Sequence, residues 1–222
     1  LIKQTRELFY EKFSQTPEII SISPGRINII GEHVDYNGGL AMPVAIDKYI
    51  CVAISKNNNK KINVFSMNLN EMLSIDLNKI IPSKLWHKYV LGSILEGLKD
   101  KNLEYGINII INSTLPIGKG LSSSAALEIS IMNAVLKIFN IKLNDNEIIK
   151  RCQLVDHQHI GIKSGRLDQS ACLLSKQEYI FIIDFQDLSV EYIPIDLAGV
   201  SWILVDSMIK RELATSKYNK RV

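Results

Sequence analysis

A strand, a glycine–serine loop and a helix in immediate succession constrain this chain more than any other feature of its sequence. Residues 106–112 read as an apolar strand, Gly118-Lys119-Gly120-Leu121-Ser122-Ser123-Ser124 as a tight loop, and Ala125 to Phe139 as a helix. Glycines let a backbone turn back on itself and approach an anion closely. Serines at a helix start add hydroxyls to N–H groups that have no partner within the helix, and the helix dipole adds partial positive charge. That combination makes a phosphate cradle. It is not the G-x-x-x-x-G-K-[ST] loop, because Lys119 is followed by Gly120. Taken alone, the same residues serve equally well as a flexible turn before an ordinary capped helix.

The surrounding segments mix both element types. Residues 3–14 and Trp86 to Leu98 carry apolar side chains at helical spacing, and Asp145 to His157 reads as a further helix. Ile19 to Ile30 is β-branched but interrupted by Ser23-Pro24-Gly25, which predicts two short strands around a turn. Met42 to Ser55 and Lys61 to Phe65, joined by Asn57-Asn58-Asn59-Lys60, predict an antiparallel meander. Tyr179 to Phe185, Val190 to Pro194 and Trp202 to Val205 read as later strands. The fold class expected is α+β.

Composition narrows the function classes. Of 222 residues, 46% are hydrophobic and 22% charged, enough for a real core. A net charge of +3 is too mild to argue for nucleic acid. The basic stretch from Lys210 to Arg221 also holds acidic and apolar residues, so it reads as a solvated helix face. No leader-like segment or membrane-length apolar run occurs. Cys51, Cys152 and Cys172 show no C-x-x-C spacing and read as free thiols of a reducing compartment. The expectation is a cytoplasmic protein with neither nucleic acid nor membrane as partner. The chain starts at Leu1 and ends in a helix-like segment without a cap, which reads as a fragment.

Two further clusters carry chemistry. Glu32, His33 and Asp35 present polar groups from one turn, and sugars are read by such sets, with carboxylates accepting from hydroxyls. A metal site or a solvated surface loop are the competing readings, although Cys and His are too sparse to complete a zinc site. Asp168, in Gly165-Arg166-Leu167-Asp168-Gln169, is either a carboxylate that acts on a hydroxyl or the cap of a helix from Gln169 to Leu174.

Together these segments resemble the galactokinase family of the GHMP kinase superfamily. The sixteen residues from Pro24 to Gly39 look like the galactokinase signature. Leu115-Pro116 through Ser124-Ala125-Ala126 resembles the superfamily's phosphate-binding motif, Trp86-His87-Lys88-Tyr89-Val90-Leu91-Gly92 a stretch near the adenine, and Gly165 to Gln169 the segment with the catalytic carboxylate. The resemblance implies a GHMP-kinase N-terminal-domain fold, a mixed or antiparallel sheet with helices packed on one side. Residues 1–205 would form that domain and 206–222 the start of a largely absent C-terminal one.

It also implies ATP-dependent phosphorylation of galactose at the anomeric hydroxyl, by an enzyme incomplete as a fragment. Asp168 and Arg26 would be catalytic. Glu32, His33, Asp35, Gly165, Asp168 and Tyr218 would contact the sugar. Trp86 and Gly118, Lys119, Gly120, Leu121, Ser122, Ser123 and Ser124 would bind ATP, with Ser124 and Asp156 holding Mg²⁺. Alternatives are a relative acting on N-acetylgalactosamine, arabinose or a uronic acid, or a non-catalytic sensor. Three departures stand out. Asp156 replaces the family's usual Glu, Arg166 and Leu167 replace Ile and Met beside Asp168, and Lys88 replaces a common Asn. An Arg166 turned inward would lower the pKa of Asp168.

Overall fold

The computed structural model describes residues 1–79, 81–99, 101, 104–195, 199, 202–206 and 208. The order of elements is α1 (Ile2–Phe13), β1 (Ile19–Ile30), β2 (Leu40–Asn57), β3 (Lys61–Ser66), β4 (Glu71–Asp76), α2 (Leu85–Leu98), β5 (Gly106–Ser113), α3 (Ser123–Ile138), α4 (Asp145–Leu154), α5 (Leu167–Leu174), β6 (Tyr179–Asp184) and β7 (Val190–Pro194). A π-helical turn, Val155–Ile160, follows α4. The fold is α+β, as expected.

One seven-stranded sheet organises the chain, in the order β4-β3-β5-β2-β6-β7, with β1 paired to β2. Strand alternation sorts side chains to its two faces. Val52, Ile54, Val64, Ile109 and Ile111 face one way, into the main core with α2 and α3. Ala53, Phe65 and Ile110 face the other way and meet Phe9 of α1. The main helical layer therefore lies on one side, and α1 adds a cover over part of the other.

Several local expectations are corrected. The segment Ile19–Ile30 is one strand rather than two: its pairing with β2 shifts register between Pro24 and Arg26 and again between Asn28 and Ile30. Such bulges absorb an extra residue and re-aim the side chains beside it. A Cβ at Gly25 would collide with Leu115 and lie 2.7 Å from the Leu121 carbonyl oxygen, so β1 passes beneath the glycine–serine loop only with glycine there.

The meander is also overturned. β5 inserts between β2 and β3, antiparallel to the first and parallel to the second. The turn signal at Asn57–Lys60 was right, but a non-local strand took the pairing edge. β4, which pairs with β3, went unread. The helix expected to reach His157 ends at Leu154 and gives way to the π turn. Its start holds a reciprocal capping box between Asn144 and Glu147. Residues 202–206 form no strand; Asp206 there pairs with Lys119 at 2.6 Å, holding the segment over the glycine–serine loop instead.

Candidate active site

A cleft of about 560 Å³ opens where β1, the Glu32–Asp35 turn, the glycine–serine loop, the π turn and α5 converge. Its lining brings together Arg26, Glu32, His33, Asp35, Gly118, Gly120, Ser122, Ser123, Ser124, Asp156, Gly165 and Asp168, from segments far apart in sequence.

Arg26 stands at the centre. The bulges in β1 aim its side chain at two targets. Its Nε donates to Asp168 Oδ1 at 2.9 Å, and its Nη2 donates to the same oxygen. Its Nη1 donates to the Gly120 carbonyl at 2.8 Å, while its backbone N–H reaches the Leu121 carbonyl at 3.3 Å. One guanidinium thus ties the acidic side of the cleft to the glycine–serine loop. Burial works against its charge, but Asp168 beside it, with smaller contributions from Cys172 and Glu32, raises its pKa overall. The Arg26 side chain is 12% exposed and that of Asp168 36%, so the carboxylate is the member of the pair open to a ligand.

Asp168 sits in the first turn of α5 but makes no capping bond. The capping role falls to Asp35, whose Oδ2 accepts from the Leu167 N–H at 3.1 Å across 132 residues of sequence. A Cβ at Gly165 would overlap the Asp35 carboxylate, so Gly165 is required by space. Burial first, and the charge of Asp168 after it, push the Asp35 carboxyl above its usual range, although the Leu167 N–H pulls it back. Arg166 turns away: its Nε donates to Gln153 Oε1 at 3.0 Å, so it adds no cation beside Asp168.

The turn that carries Glu32, His33 and Asp35 is tight. Asn37 and Gly39 N–H groups both return to the Val34 carbonyl, at 2.9 and 3.0 Å. His33 takes a positive φ of 61°, and its Nδ1 lies 2.7 Å from the Tyr36 hydroxyl, which fixes the ring.

Across the cleft, Gly118 and Gly120 both have φ of +73° and open space where a Cβ would go, so conformation rather than room requires glycine there. Ser122 precedes α3 at φ 56° without a side-chain capping bond, and its Oγ is buried with no partner. The first turn of α3 therefore presents its N–H groups and the Ser123 and Ser124 hydroxyls to the cleft, as an anion site requires.

Behind the loop lies a buried acidic group. Asp156, 7% exposed, sits on the π turn, a device frequent at functional sites. Its Oδ2 accepts from Ser164 Oγ at 2.7 Å and from Gln169 Nε2 at 3.0 Å. Glu128, fully buried on α3, accepts from the same Gln169 nitrogen at 3.1 Å. Burial pushes both carboxyls up, Glu128 far above its usual range with Asp156 adding to it. Ser124 and Asp156 supply hard oxygen donors on one cleft wall. That suits Mg²⁺, which takes one or two protein oxygens plus water and substrate phosphates.

Three expected residues stand off the cleft wall. The Trp86 indole N–H donates to Glu71 Oε2 on β4 at 2.9 Å. Lys119 is engaged by Asp206. Leu121 packs on the main core and contributes its carbonyl. Tyr218 lies outside the described residues. Sequence reasoning missed Glu128, Ser164 and Gln169. The available signal was Glu128, a lone charge in the apolar run Ala125-Ala126-Leu127-Glu128-Ile129.

The fold is that of GHMP kinase N-terminal domains, and residues 88–176 match the family model for that domain. Residues 7–56 match the galactokinase galactose-binding signature. The chain is 36% identical over 199 residues to the galactokinase of Thermosipho africanus, covering 90% of this chain and 55% of that protein. It is 34% identical over 227 residues to that of Fusobacterium nucleatum, covering 100% of this chain and 57% of that protein. The solved structure of Lactococcus lactis galactokinase complexed with galactose superposes with a TM-score of 0.81 at 30% identity, over 99% of this chain and 58% of that one. The chain is thus similar to galactokinases along nearly all of its own length and spans a little over half the length of these relatives.

Proposed function

We propose that this chain carries the sugar-, phosphate- and carboxylate-bearing part of a kinase that transfers the γ-phosphate of ATP to the anomeric hydroxyl of galactose. The observation that carries the reading is Arg26, one cation bonded both to Asp168 and to the Gly120 carbonyl. A sugar hydroxyl held at Asp168 then lies next to phosphates held at the loop, the arrangement phosphoryl transfer needs. Glu32, His33, Asp35 and Gly165 orient the sugar, with Tyr218 assigned to the same role. Asp168 accepts the hydroxyl proton as the anomeric oxygen bonds to phosphorus and the bond to ADP breaks. Arg26 stabilises the negative charge on that oxygen. The first turn of α3, with Ser122 to Ser124, holds the phosphates, and Trp86, Lys119 and Leu121 are assigned to the nucleotide side.

Ser124 and Asp156 would hold Mg²⁺, which neutralises phosphate charge when bound. Residues 1–205 are assigned to the N-terminal domain and 206–222 to the start of the next. Among the described residues no helix is long and apolar enough to cross a membrane. The three cysteines are buried free thiols, which supports a reducing cytoplasm as the setting.

The test is ATP-dependent phosphorylation of a sugar panel by this chain and by the complete gene product. Galactose 1-phosphate as the main product supports the reading. Preference for N-acetylgalactosamine, arabinose or a uronic acid moves the substrate. Binding of galactose and ATP without turnover refutes catalysis.

A further inference from the structure

Gln169 is a buried polar side chain that the proposed reaction does not use. It is 1% exposed. Its Nε2 donates to two carboxylates at once, Glu128 Oε2 at 3.1 Å and Asp156 Oδ2 at 3.0 Å. Its Oε1 is buried with no partner. Reversing the amide would set its carbonyl against both carboxylate oxygens and forfeit both bonds, so chemistry fixes which end faces the acids. Ser164 Oγ donates to the same Asp156 oxygen at 2.7 Å.

Two donors therefore converge on Oδ2 of a residue that lines the cleft. Turning the carboxylate part-way would break both bonds inside a buried site, where unmade hydrogen bonds cost most, and a half-turn only exchanges its two equivalent oxygens. We propose that Gln169 is a positioning residue for the cation site. Together with Ser164 it holds Asp156 Oδ2 on the protein side, so that Oδ1 is the oxygen presented to a divalent cation in the cleft. Glu128 accepts from the same amide nitrogen and so fixes which end of the side chain meets Asp156. Asp168 and Gln169 share the first turn of α5. One residue of that turn faces the hydroxyl to be phosphorylated, and the next aims the carboxylate that meets the cation. The inference rests on the kinase reading for the co-substrate that brings the cation, but its geometry stands apart from turnover.

The test uses Mn²⁺ as a spectroscopic probe, titrated by electron paramagnetic resonance into the complete gene product with a non-hydrolysable ATP analogue. Gln169→Met, which keeps length and removes the donor, is expected to weaken Mn²⁺ binding about tenfold, as loss of an outer-shell partner does. The free Mg²⁺ needed for half-maximal rate rises in parallel, and galactose affinity is unchanged. Unaltered Mn²⁺ binding, or an equal loss of galactose affinity, overturns the proposal. If Gln169→Met fails to fold, Ser164→Ala decides. It removes the other donor to Oδ2 and must weaken Mn²⁺ binding by a smaller factor; no change overturns the proposal. A wild type that phosphorylates no sugar refutes the kinase reading, while the Mn²⁺ titration still decides the positioning role.

Discussion

The β2–β5–β3 centre of the sheet and the cleft at its edge follow opposite rules. In the centre, β2 and β5 pair without interruption from Ile50 opposite Ser113 to Asn57 opposite Gly106. Even its buried asparagines are satisfied: Asn57 donates to Asn108 at 2.8 Å, Asn108 to Gln15 at 3.1 Å and Asn112 to Thr5 at 3.2 Å. Around the cleft, β1 shifts register twice, a π turn interrupts the helical layer, and His33 and Ser122 adopt positive φ. Every buried side-chain polar atom without a partner among the described residues belongs to Asn28, Ser122, Glu128, Gln169 or Ser170, on elements around that cleft. Unmade bonds persist only where surrounding structure holds them, and here they gather around the cleft.

The comparison breaks if substitutions in the two regions act alike. The largest effect is expected at Asp168→Asn, which in the complete gene product should lower kcat about 10²- to 10⁴-fold with the unfolding midpoint little changed. A loss below about tenfold, or 1.4 kcal/mol of barrier, removes Asp168 from the chemistry. Next comes Ile109→Ala, at a fully buried position. It should cost about 2–5 kcal/mol in urea unfolding and leave both substrate KM values unmoved.

Two glycines then sharpen the contrast. A Cβ at Gly106 would lie 2.6 Å from the Lys61 nitrogen, and one at Gly165 would overlap Asp35. Overpacking of this kind costs about 1–3 kcal/mol. For Gly106→Ala that loss should appear in the unfolding free energy, whereas for Gly165→Ala it should appear as a raised sugar KM at constant ATP KM.

The smallest effect concerns Asp35. Its folded-state pKa is raised, so it favours folding below its ordinary value, and that contribution is lost as pH rises through the folded value. Asp35→Asn has no such loss. The variant should therefore be more stable than wild type at neutral pH, with the difference closing at acid pH in paired urea titrations, and its sugar KM should be higher. A constant difference across pH would remove the burial argument.

Legibility in the sequence divides along the same line. Periodicity marked α2, α3 and most of β2 and β5, because apolar spacing is a local property. The bulge at Gly25 was not legible. Ser-Pro-Gly reads as a turn, and only the loop carrying Leu115 and Leu121, some way along the chain, makes that position a crossing point. Asp168 read alone favours a cap over a base. Its partner Arg26 is 142 residues away, and so is the decision between the roles. The resemblance supplied the long-range grouping of the site that spacing alone does not contain. It did not assign Glu128 or Gln169 a role, since that depends on which side chains α3 and α5 turn towards each other.

The strand inserted between β2 and β3 also bears on the order in which the chain assembles. β2 and β3 are joined by a short turn and run antiparallel, so they can zip into a hairpin as soon as both exist. The native sheet forbids that pairing and waits for β5, which comes later in synthesis and must wedge between them. The quick local hairpin is thus a competitor that must stay open or reopen. Folding of this domain is governed by a long-range arrival rather than by its strong local signals. Gly106, packed against Lys61 at the tip of that wedge, marks where the strand enters.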